Sequence, residues 1–313
     1  MIYVLGSIRN DITLEVEKLP KNSDPAVADA CSVVIGGKGA CQAIAISRIS
    51  KRDDSDKKHV KLIGRVGNDA VGAMLVDKLN ELDVDTEFVQ KTNRTTGMTV
   101  NCTTDRARRT IIYNGANSSV TKTDVDEALG GATSADTLIC QLEVPLYVVM
   151  FALSKARSLG MTTILNISNA VELPDDLYYN VDVVVVNRAV AEAVTGIAPS
   201  DFRAQMNIVR YFNRRGVQCV AITLGDDGAA VSDGEYVSSH VHSPEVTAVD
   251  EAGAGDVFVG ALALTYPHVG MYSFEEACGF ATRAASLSVT KRGGVENTPR
   301  LEEIVALYNR EIK

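Results

Sequence analysis

Short apolar runs rich in β-branched residues alternate along the chain with longer amphipathic stretches. This pattern is typical of helices that cover both faces of a mostly parallel sheet, and it predicts a doubly wound α/β fold. The predicted buried strands are Ile2 to Leu5, Val60 to Ile63, Thr137 to Cys140, Thr162 to Leu165, Val183 to Val186 and Cys219 to Leu224. The predicted helices are Gly39 to Ile49, Ala70 to Leu82, Pro145 to Leu159, Ala189 to Thr195, Phe202 to Arg214, Asp256 to Tyr266 and Phe274 to Thr290.

Two segments do not follow this rhythm and predict a separate, small sheet. Asp11 to Val16 and Thr99 to Tyr113 have alternating or polar strand patterns, and Thr104 to Ala107 interrupts the second like a turn. A flap built from them would lie over the strand ends, where open α/β sheets bind ligands. The charged run Lys51 to His59 predicts a solvated loop rather than a basic patch, because Asp residues are interleaved in it.

Composition narrows the function classes. The 313 residues are 46% hydrophobic and 23% charged, which excludes a disordered or collagen-like chain. The net charge of -9 makes nucleic acid an unfavourable partner. No apolar run approaches the roughly 18 residues of a membrane span, so no membrane association is expected. The N-terminal segment resembles a first strand more than a signal peptide.

The cysteines and histidines indicate neither a disulfide framework nor a zinc site. The cysteines are far apart without a CxxC pair, which favours reduced thiols in a cytoplasmic compartment. His240 and His242 form the one close histidine pair, and no Cys or carboxylate cluster accompanies them.

Two glycine-rich segments carry the candidate chemistry, GGKGACQA from Gly36 and DEAGAGDVFVGAL from Asp250. Neither fits the P-loop or the GxGxxG fingerprint, which disfavours a simple dinucleotide-dependent dehydrogenase. Residues 252–255 precede an apolar helical stretch, so free backbone N–H groups would converge at a positive helix N-terminus and form an anion cradle. Asp256 is then either a helix cap or a base that accepts a proton from an attacking hydroxyl. Residues 223–228 predict a nucleotide-binding loop or a plain turn.

Together these motifs resemble a known family. VLGSI, GGKGACQA, GRVGNDAVG, GANSSVT, QLEVPL, a strand that ends in Asn187, ITLGDDG, DEAGAGDVFVGAL and VTKRGG occur in order from residue 1 to about residue 310. The series closely resembles the ribokinase branch of the PfkB carbohydrate kinases. The resemblance implies ATP-dependent phosphorylation of the hydroxymethyl group of a pentose or related sugar. It also implies a single ribokinase-like α/β kinase domain over 1–313, with lid strands at about 9–17, 28–36 and 97–114, and a homodimer paired lid to lid.

The resemblance also assigns residues. It makes Asp256 the general base, and it assigns the anion hole to the backbone of residues 252–255. Of these, Gly253, Ala254 and Gly255 are counted as catalytic together with Asp256. The implied sugar-binding residues are Asp11, Gly37, Lys38, Cys41 and Glu143. The implied ATP-binding residues are Asn187, Thr223, Gly225, Gly228 and Gly255, with Mg²⁺ held chiefly by phosphate oxygens and water. The implied potassium site uses Asp250, Ala252, Ser288, Lys291, Gly293 and Asn297.

Plainer interpretations of the sugar-binding residues stay open. Asp11 could be a surface strand residue, Glu143 could cap the helix that begins near Pro145, and Lys38 could be solvated.

Three departures from the family pattern bear on substrate and rate. Arg9 and Cys41 stand where ribokinases carry Asn, which puts ribose itself in doubt.

The phosphate-side NxxE motif has Val190 in place of Glu, and Glu192 is about 200° round a helix from that position. That loss leaves three outcomes open: altered metal or phosphate dependence, a reduced rate, or a degenerate kinase. Arg9 could bind an anionic substituent of the substrate. It could instead point to solvent or support the structure of the lid, and we favour these two alternatives.

Two rival functions remain. A nucleoside kinase would need an aromatic stacking surface, which is not obvious with 5% aromatic residues and no Trp. A catalytically degenerate sugar-binding regulator would accommodate the three departures, but the intact GAGD segment argues against it.

Overall fold

The computed structural model describes residues 1–21, 24–50, 59–169, 172–234, 239–266 and 273–311. Its strands are β1 Ile2–Leu5, β2 Arg9–Val16, β3 Ala28–Gly36, β4 Val60–Gly67, β5 Val89–Thr92, β6 Gly97–Thr103, β7 Arg108–Tyr113, β8 Thr137–Gln141, β9 Thr162–Ile167, β10 Val183–Asn187, β11 Cys219–Thr223, β12 Ala229–Ser232 and β13 Ser239–Val241. Its helices are α1 Lys38–Ser50, α2 Ala70–Glu81, α3 Lys122–Ala128, α4 Leu146–Ser158, α5 Asp175–Tyr178, α6 Arg188–Thr195, α7 Phe202–Asn213, α8 Ala254–Thr265, α9 Phe274–Ser288 and α10 Leu301–Glu311.

The larger sheet has the order β13-β12-β11-β10-β9-β8-β1-β4-β5 within the described residues. The strands from β11 to β5 all run parallel, and β12 is antiparallel to β11. Together with the second small sheet, this confirms the predicted fold class. The predicted strands and helices are also confirmed, with ends that differ by up to four residues.

The apolar runs are continuous because each strand is buried on both faces. In β1, Ile2 and Val4 point into one hydrophobic cluster with residues of α1, α2, α8 and α9. Tyr3 and Leu5 point into a second cluster with residues of α3, α4, α6 and α7. Alternate side chains of a strand point to opposite faces, so both sets must be apolar.

The smaller sheet, which we call the lid sheet, has the order β3-β2-β6-β7. It begins next to the carboxyl end of β1, because the short link of residues 6–8, which ends in Ile8, joins β1 to β2. The Asn117 side chain holds this link: its Oδ1 accepts from the Ile8 N–H at 2.9 Å, and its Nδ2 donates to the Ile8 carbonyl at 2.9 Å. The lid sheet is therefore anchored at the edge where the parallel strands end.

Helix α1 starts at that same edge. It follows Gly37, which has a φ of +87°, and a Cβ at this position would lie 2.6 Å from the Ser7 carbonyl oxygen. Only glycine fits this left-handed conformation and close approach. The turn thus brings Lys38 to the end of β1.

Three further expectations concern the charged run, the cysteines and membrane-spanning segments. The charged run 51–59 lies outside the described residues, apart from His59. All six cysteines are free thiols, and Cys140, Cys219 and Cys278 are buried. None of the described helices combines the length and apolarity needed to span a membrane.

Candidate active site

The first feature of the site is the N-terminus of α8. Gly253 is its N-cap, with a φ of 83°, a backbone conformation that strains any residue with a Cβ. The Ala252 N–H donates to Asp250 Oδ1 at 3.0 Å, and the Ala254 N–H donates to the Glu251 carbonyl at 3.3 Å. Among the described residues, no acceptor engages the N–H groups of Gly253 and Gly255. Two donors at a helix N-terminus suit an anion.

Asp256 lies in the first turn of α8 and is 7% exposed. Its Oδ1 accepts a hydrogen bond from Gln42 Nε2 at 2.9 Å and lies 3.6 Å from Lys38 Nζ. In the described part of the chain, no hydrogen bond engages Oδ2. The alternative in which Asp256 merely caps the helix is wrong, because Gly253 occupies the cap position. Asp256 raises the pKa of Lys38, so this lysine is a cation beside the carboxylate.

A buried chain of side-chain amides supports Asp256. Gln141 Nε2 donates to Gln42 Oε1 at 2.6 Å, and Gln42 Nε2 donates to Asn166 Oδ1 at 3.1 Å as well as to Asp256. Sequence patterns did not single out these three amides. Gln141 and Asn166 lie just beyond the predicted ends of their strands, and a polar residue at the carboxyl end of an apolar run is the signal that would have found them.

Glu143 is the second buried carboxylate. Its Oε1 accepts from Arg9 Nη2 at 2.8 Å, and its Oε2 accepts from the Ser7 hydroxyl and, at 3.0 Å, from the Lys38 N–H. Burial raises the pKa of this carboxyl, but Arg9 and the three hydrogen bonds outweigh burial, so the pKa is lowered. Glu143 is therefore an ionised group that joins the lid sheet to α1.

This geometry excludes two of the open alternatives. Glu143 does not cap α4, because Pro145 is the N-cap and makes no side-chain capping bond. Arg9 does not point to solvent, because its side chain is 8% exposed and paired with Glu143. Of the two favoured alternatives for Arg9, solvent exposure is therefore wrong, and support of the lid agrees with the pair to Glu143.

The face of the lid sheet that carries Arg9 and Asp11 presents polar atoms without partners. Arg9 Nε, Asp11 Oδ1 and Thr99 Oγ1 are buried, and within the described residues they lack hydrogen bonds. Burial raises the pKa of the Asp11 carboxyl. An unpaired buried polar atom costs about 1 to 3 kcal/mol, so a group of them is expected where a polar ligand binds. The atoms offer both donors and acceptors, as a polyol requires.

Gly37, Lys38 and Cys41 border the same region. Gly37 and Cys41 are joined by a backbone hydrogen bond of 2.9 Å in the first turn of α1. Burial raises the pKa of the Cys41 thiol well above its usual range, so the thiol is neutral and a poor nucleophile.

The predicted nucleotide residues lie at adjacent strand ends. Asn187 and Thr223 are register partners at the ends of β10 and β11. The Asn187 side chain caps α6 by accepting from the Val190 N–H at 2.8 Å. Gly225 and Gly228, with φ of 69° and 88°, form the turn after β11.

A cavity of about 310 Å³ opens beside this turn. Arg188 lies at its wall and donates to the Leu224 carbonyl at 3.2 Å and to Asp227 Oδ2 at 2.8 Å. Val190 is buried in the core, and Glu192, two residues along α6, is exposed.

The predicted cation residues meet in one loop cluster. Asp250 Oδ2 accepts from the N–H groups of Gly293 and Gly294 at 3.0 and 3.2 Å. Burial raises the pKa of Asp250, but hydrogen bonds from Gly293, Ala252 and Gly294 outweigh it, so the pKa is lowered. An ionised carboxylate is a hard oxygen ligand, which suits a hard cation, although the contacts that the structure gives Asp250 here are all with backbone N–H groups.

The remaining members of the cation set flank this loop. The Ser288 hydroxyl donates to the Ala285 carbonyl at 2.7 Å, and Asn297 Nδ2 donates to the Arg292 carbonyl. The Lys291 ammonium is exposed and lies 3.6 Å from Glu303, so its backbone carbonyl is the only part of Lys291 suited to bind a cation. In the described part of the chain, this cluster included, no group of three His, Cys, Asp or Glu side chains could hold a metal ion.

Comparisons with known proteins agree with this geometry. A ribokinase from Staphylococcus aureus is 31% identical over 306 residues, which cover 97% of this chain and 98% of that protein. A ribokinase from Mus musculus is 30% identical, with 98% of this chain and 94% of that protein covered. The structure of Arabidopsis thaliana ribokinase complexed with ribose and ATP superposes with a TM-score of 0.85 at 26% identity, covering 98% of this chain and 97% of that one.

The model of the family described as pfkB family carbohydrate kinase matches residues 1–301. That match includes the lid sheet, the amide chain and the α8 N-terminus. The chain therefore belongs to the pfkB family of carbohydrate kinases.

Proposed function

We propose that this ATP-dependent sugar kinase phosphorylates the hydroxymethyl group of a neutral pentose or a closely related sugar, with Asp256 as the general base. The observation that carries the proposal is the environment of Asp256. Its Oδ2 is unpaired within the described residues, and two unengaged amides lie in the same helix turn. A proton acceptor and an anion cradle in one turn suit transfer of a phosphoryl group to an alcohol.

In the proposed mechanism, the lid sheet and Glu143 hold the sugar over the ends of β1 and β8. Asp256 Oδ2 takes the proton of the hydroxyl as its oxygen attacks the γ-phosphorus, and the bond between that phosphorus and the ADP oxygen breaks. The amides of Gly253 and Gly255 stabilise the negative charge on the transferred group. Alignment and charge stabilisation supply most of the rate in such reactions.

The nucleotide would lie along Thr223 to Gly228, with its phosphates near Asn187. Mg²⁺, held by phosphate oxygens and water, would neutralise the phosphate charge. A potassium ion at Asp250 would supply positive charge beside the cradle, and the ionised state of this carboxylate supports that assignment.

Charge balance favours a neutral sugar. Arg9 is paired with Glu143, and Lys38 lies beside Asp256. Among the described residues, the positive charges of these two side chains are therefore already balanced by carboxylates. This balance disfavours a sugar with an acidic or phosphorylated substituent. The Arabidopsis ribokinase is complexed with ribose, which makes ribose the first candidate to test here. A candidate base and two amides without acceptors among the described residues lie in one turn of α8, and this argues against a degenerate regulator.

We also propose a cytoplasmic homodimer that pairs through the lid sheet. Val33 on β3 and Ile111 and Tyr113 on β7 are exposed on the face of the lid sheet opposite to Asp11 and Thr99, and burying such an apolar surface favours association. Six free thiols support a reducing compartment. Light scattering of the purified chain should give twice the monomer mass, and a monomer at micromolar concentration would refute the dimer.

The function is tested by measuring ADP release from ATP with pentoses, hexoses, sugar phosphates and nucleosides, with and without potassium. We expect turnover with a neutral pentose and stimulation by potassium. Preference for a nucleoside would favour the alternative kinase, and ligand binding without turnover on any alcohol would favour the regulator.

A further inference from the structure

We infer that Gln42 is a positioning residue for Asp256, which holds the carboxylate by Oδ1 so that Oδ2 faces the substrate hydroxyl. The inference rests on the proposed role of Asp256 as the base. Gln42 is fully buried in α1, and its Nε2 lies 2.9 Å from Asp256 Oδ1. It makes no contact with the reacting atoms and would act only through Asp256.

Two acceptors and one donor fix the orientation of the Gln42 amide. Asn166 Nδ2 donates to the Val185 carbonyl at 3.2 Å, which turns Asn166 Oδ1 toward Gln42. Gln42 Nε2 therefore faces the Asn166 and Asp256 oxygens, while its Oε1 accepts from Gln141. A flipped amide would set Oε1 against both oxygens, and it would leave the buried carboxylate without this hydrogen bond.

The backbone brings these groups together through close packing of α1 on α8. A Cβ at Gly260 of α8 would lie 2.9 Å from the Ala45 Cβ and 3.2 Å from the Gln42 carbonyl oxygen. The absence of that Cβ lets the two helices approach closely, so the Gln42 side chain reaches the first turn of α8. Lys38 lies one turn earlier on α1, and it approaches the same Oδ1.

Holding one oxygen leaves the other for catalysis. A carboxylate free to rotate about its Cβ–Cγ bond would present either oxygen at variable angles, which lowers the fraction of time in the reactive geometry. A hydrogen bond to a charged group is strong enough for its loss to lower a rate about 10- to 100-fold. We therefore expect Gln42 to affect kcat more than KM.

The test is a double-mutant cycle with Gln42→Met and Asp256→Asn, measured with radiolabelled ATP. Gln42→Met should lower kcat about 10- to 100-fold and change either KM less than about threefold. In the Asp256→Asn background, the same substitution should change kcat less than about twofold, because the residue acts through a group that is already lost. A merely structural role would lower kcat by the same factor in both backgrounds.

Two further variants keep the test decisive. Gln141→Met leaves Gln42 in place but removes the donor that fixes its amide, so kcat should fall a few fold. Ser47→Ala is the matched control, since Ser47 is buried on the same helix and donates to the Leu82 carbonyl at 2.7 Å without approaching Asp256. It should leave kcat unchanged, and thermal unfolding should show each variant folded.

The outcomes are distinguishable. Wild-type kcat in both Gln42→Met and Gln141→Met, or equal losses in both backgrounds of the cycle, would overturn the positioning role while Asp256 remains the base. Wild-type kcat in Asp256→Asn would overturn the proposed function, and the inference with it.

Discussion

Replacing Arg9 by Met tests whether the buried pair with Glu143 stabilises the folded chain at the sugar side of the site. Both side chains are at most 8% exposed, and Arg9 Nη2 lies 2.8 Å from Glu143 Oε1. Removing one partner of a buried ion pair typically costs about 3–5 kcal/mol, because the other charge is left buried. Glu143 would keep its bonds from Ser7 and the Lys38 N–H, so we expect the lower end, about 3 kcal/mol.

That loss should appear in thermal unfolding near pH 7. A change of about 1 kcal/mol shifts the Tm by about 1.5 °C in a chain of 313 residues, so Arg9→Met should lower the Tm by about 4 to 5 °C. Arg157→Met is the matched control. Arg157 pairs with Asp182 at 2.8 Å, but its side chain is 52% exposed, and the control should cost about 1 kcal/mol or less.

A second substitution separates charge from packing. Adding Glu143→Gln to Arg9→Met removes the uncompensated charge, so the double variant should recover at least half of the lost stability. The reasoning is refuted if Arg9→Met shifts the Tm no more than Arg157→Met, or if the double variant recovers nothing.

Three further predictions follow from the site. Cys41→Asn adds a donor and an acceptor beside Lys38, so the KM for a pentose in the ADP-release assay should fall about 2- to 10-fold; an unchanged or higher KM would place residue 41 outside the sugar pocket. Asp250→Asn removes the ionised carboxylate of the proposed cation site, so the rate should no longer respond to potassium; undiminished stimulation would contradict that site. The pKa of Glu143 is lowered in the folded chain, so its stabilisation is present above the unfolded value near 4.5 and is lost as pH falls through the folded value. The free energies of unfolding of wild type and Glu143→Gln, measured in urea, should therefore converge as the pH falls. A constant difference down to the lowest pH at which the chain folds would contradict the stabilising role of ionised Glu143.

The parallel sheet could be predicted because its signal is local. Each strand is covered on both faces, and a continuous run of β-branched residues such as Val183 to Val186 is typical of that environment. The same criterion hides the functional residues. It ends a strand at the last apolar residue, and Gln141 follows that residue directly, although it belongs to β8.

The contacts between distant segments could not be predicted from local pattern. Arg9 begins a strand of the lid sheet, where a charged residue indicates exposure, yet its partner Glu143 is 134 residues away. Gln42 looks like the polar position of an amphipathic helix, but α1 packs against both the sheet and α8, so this position is fully buried. The resemblance of the motifs identified Asp256 and Glu143. Only the fold showed which of their carboxylate oxygens accept hydrogen bonds from the protein and which do not.

The most direct test of the account compares Asp256→Asn with wild type in two measurements on the same preparations. One is kcat for the preferred sugar, and the other is the Kd for ATP by calorimetry. The substitution keeps the side-chain shape and the backbone amides of Gly253 and Gly255, but it removes the proton acceptor. We predict that kcat falls about 100- to 10,000-fold while the Kd for ATP changes less than about threefold. A variant that retains wild-type kcat would contradict the assignment of Asp256 as the base.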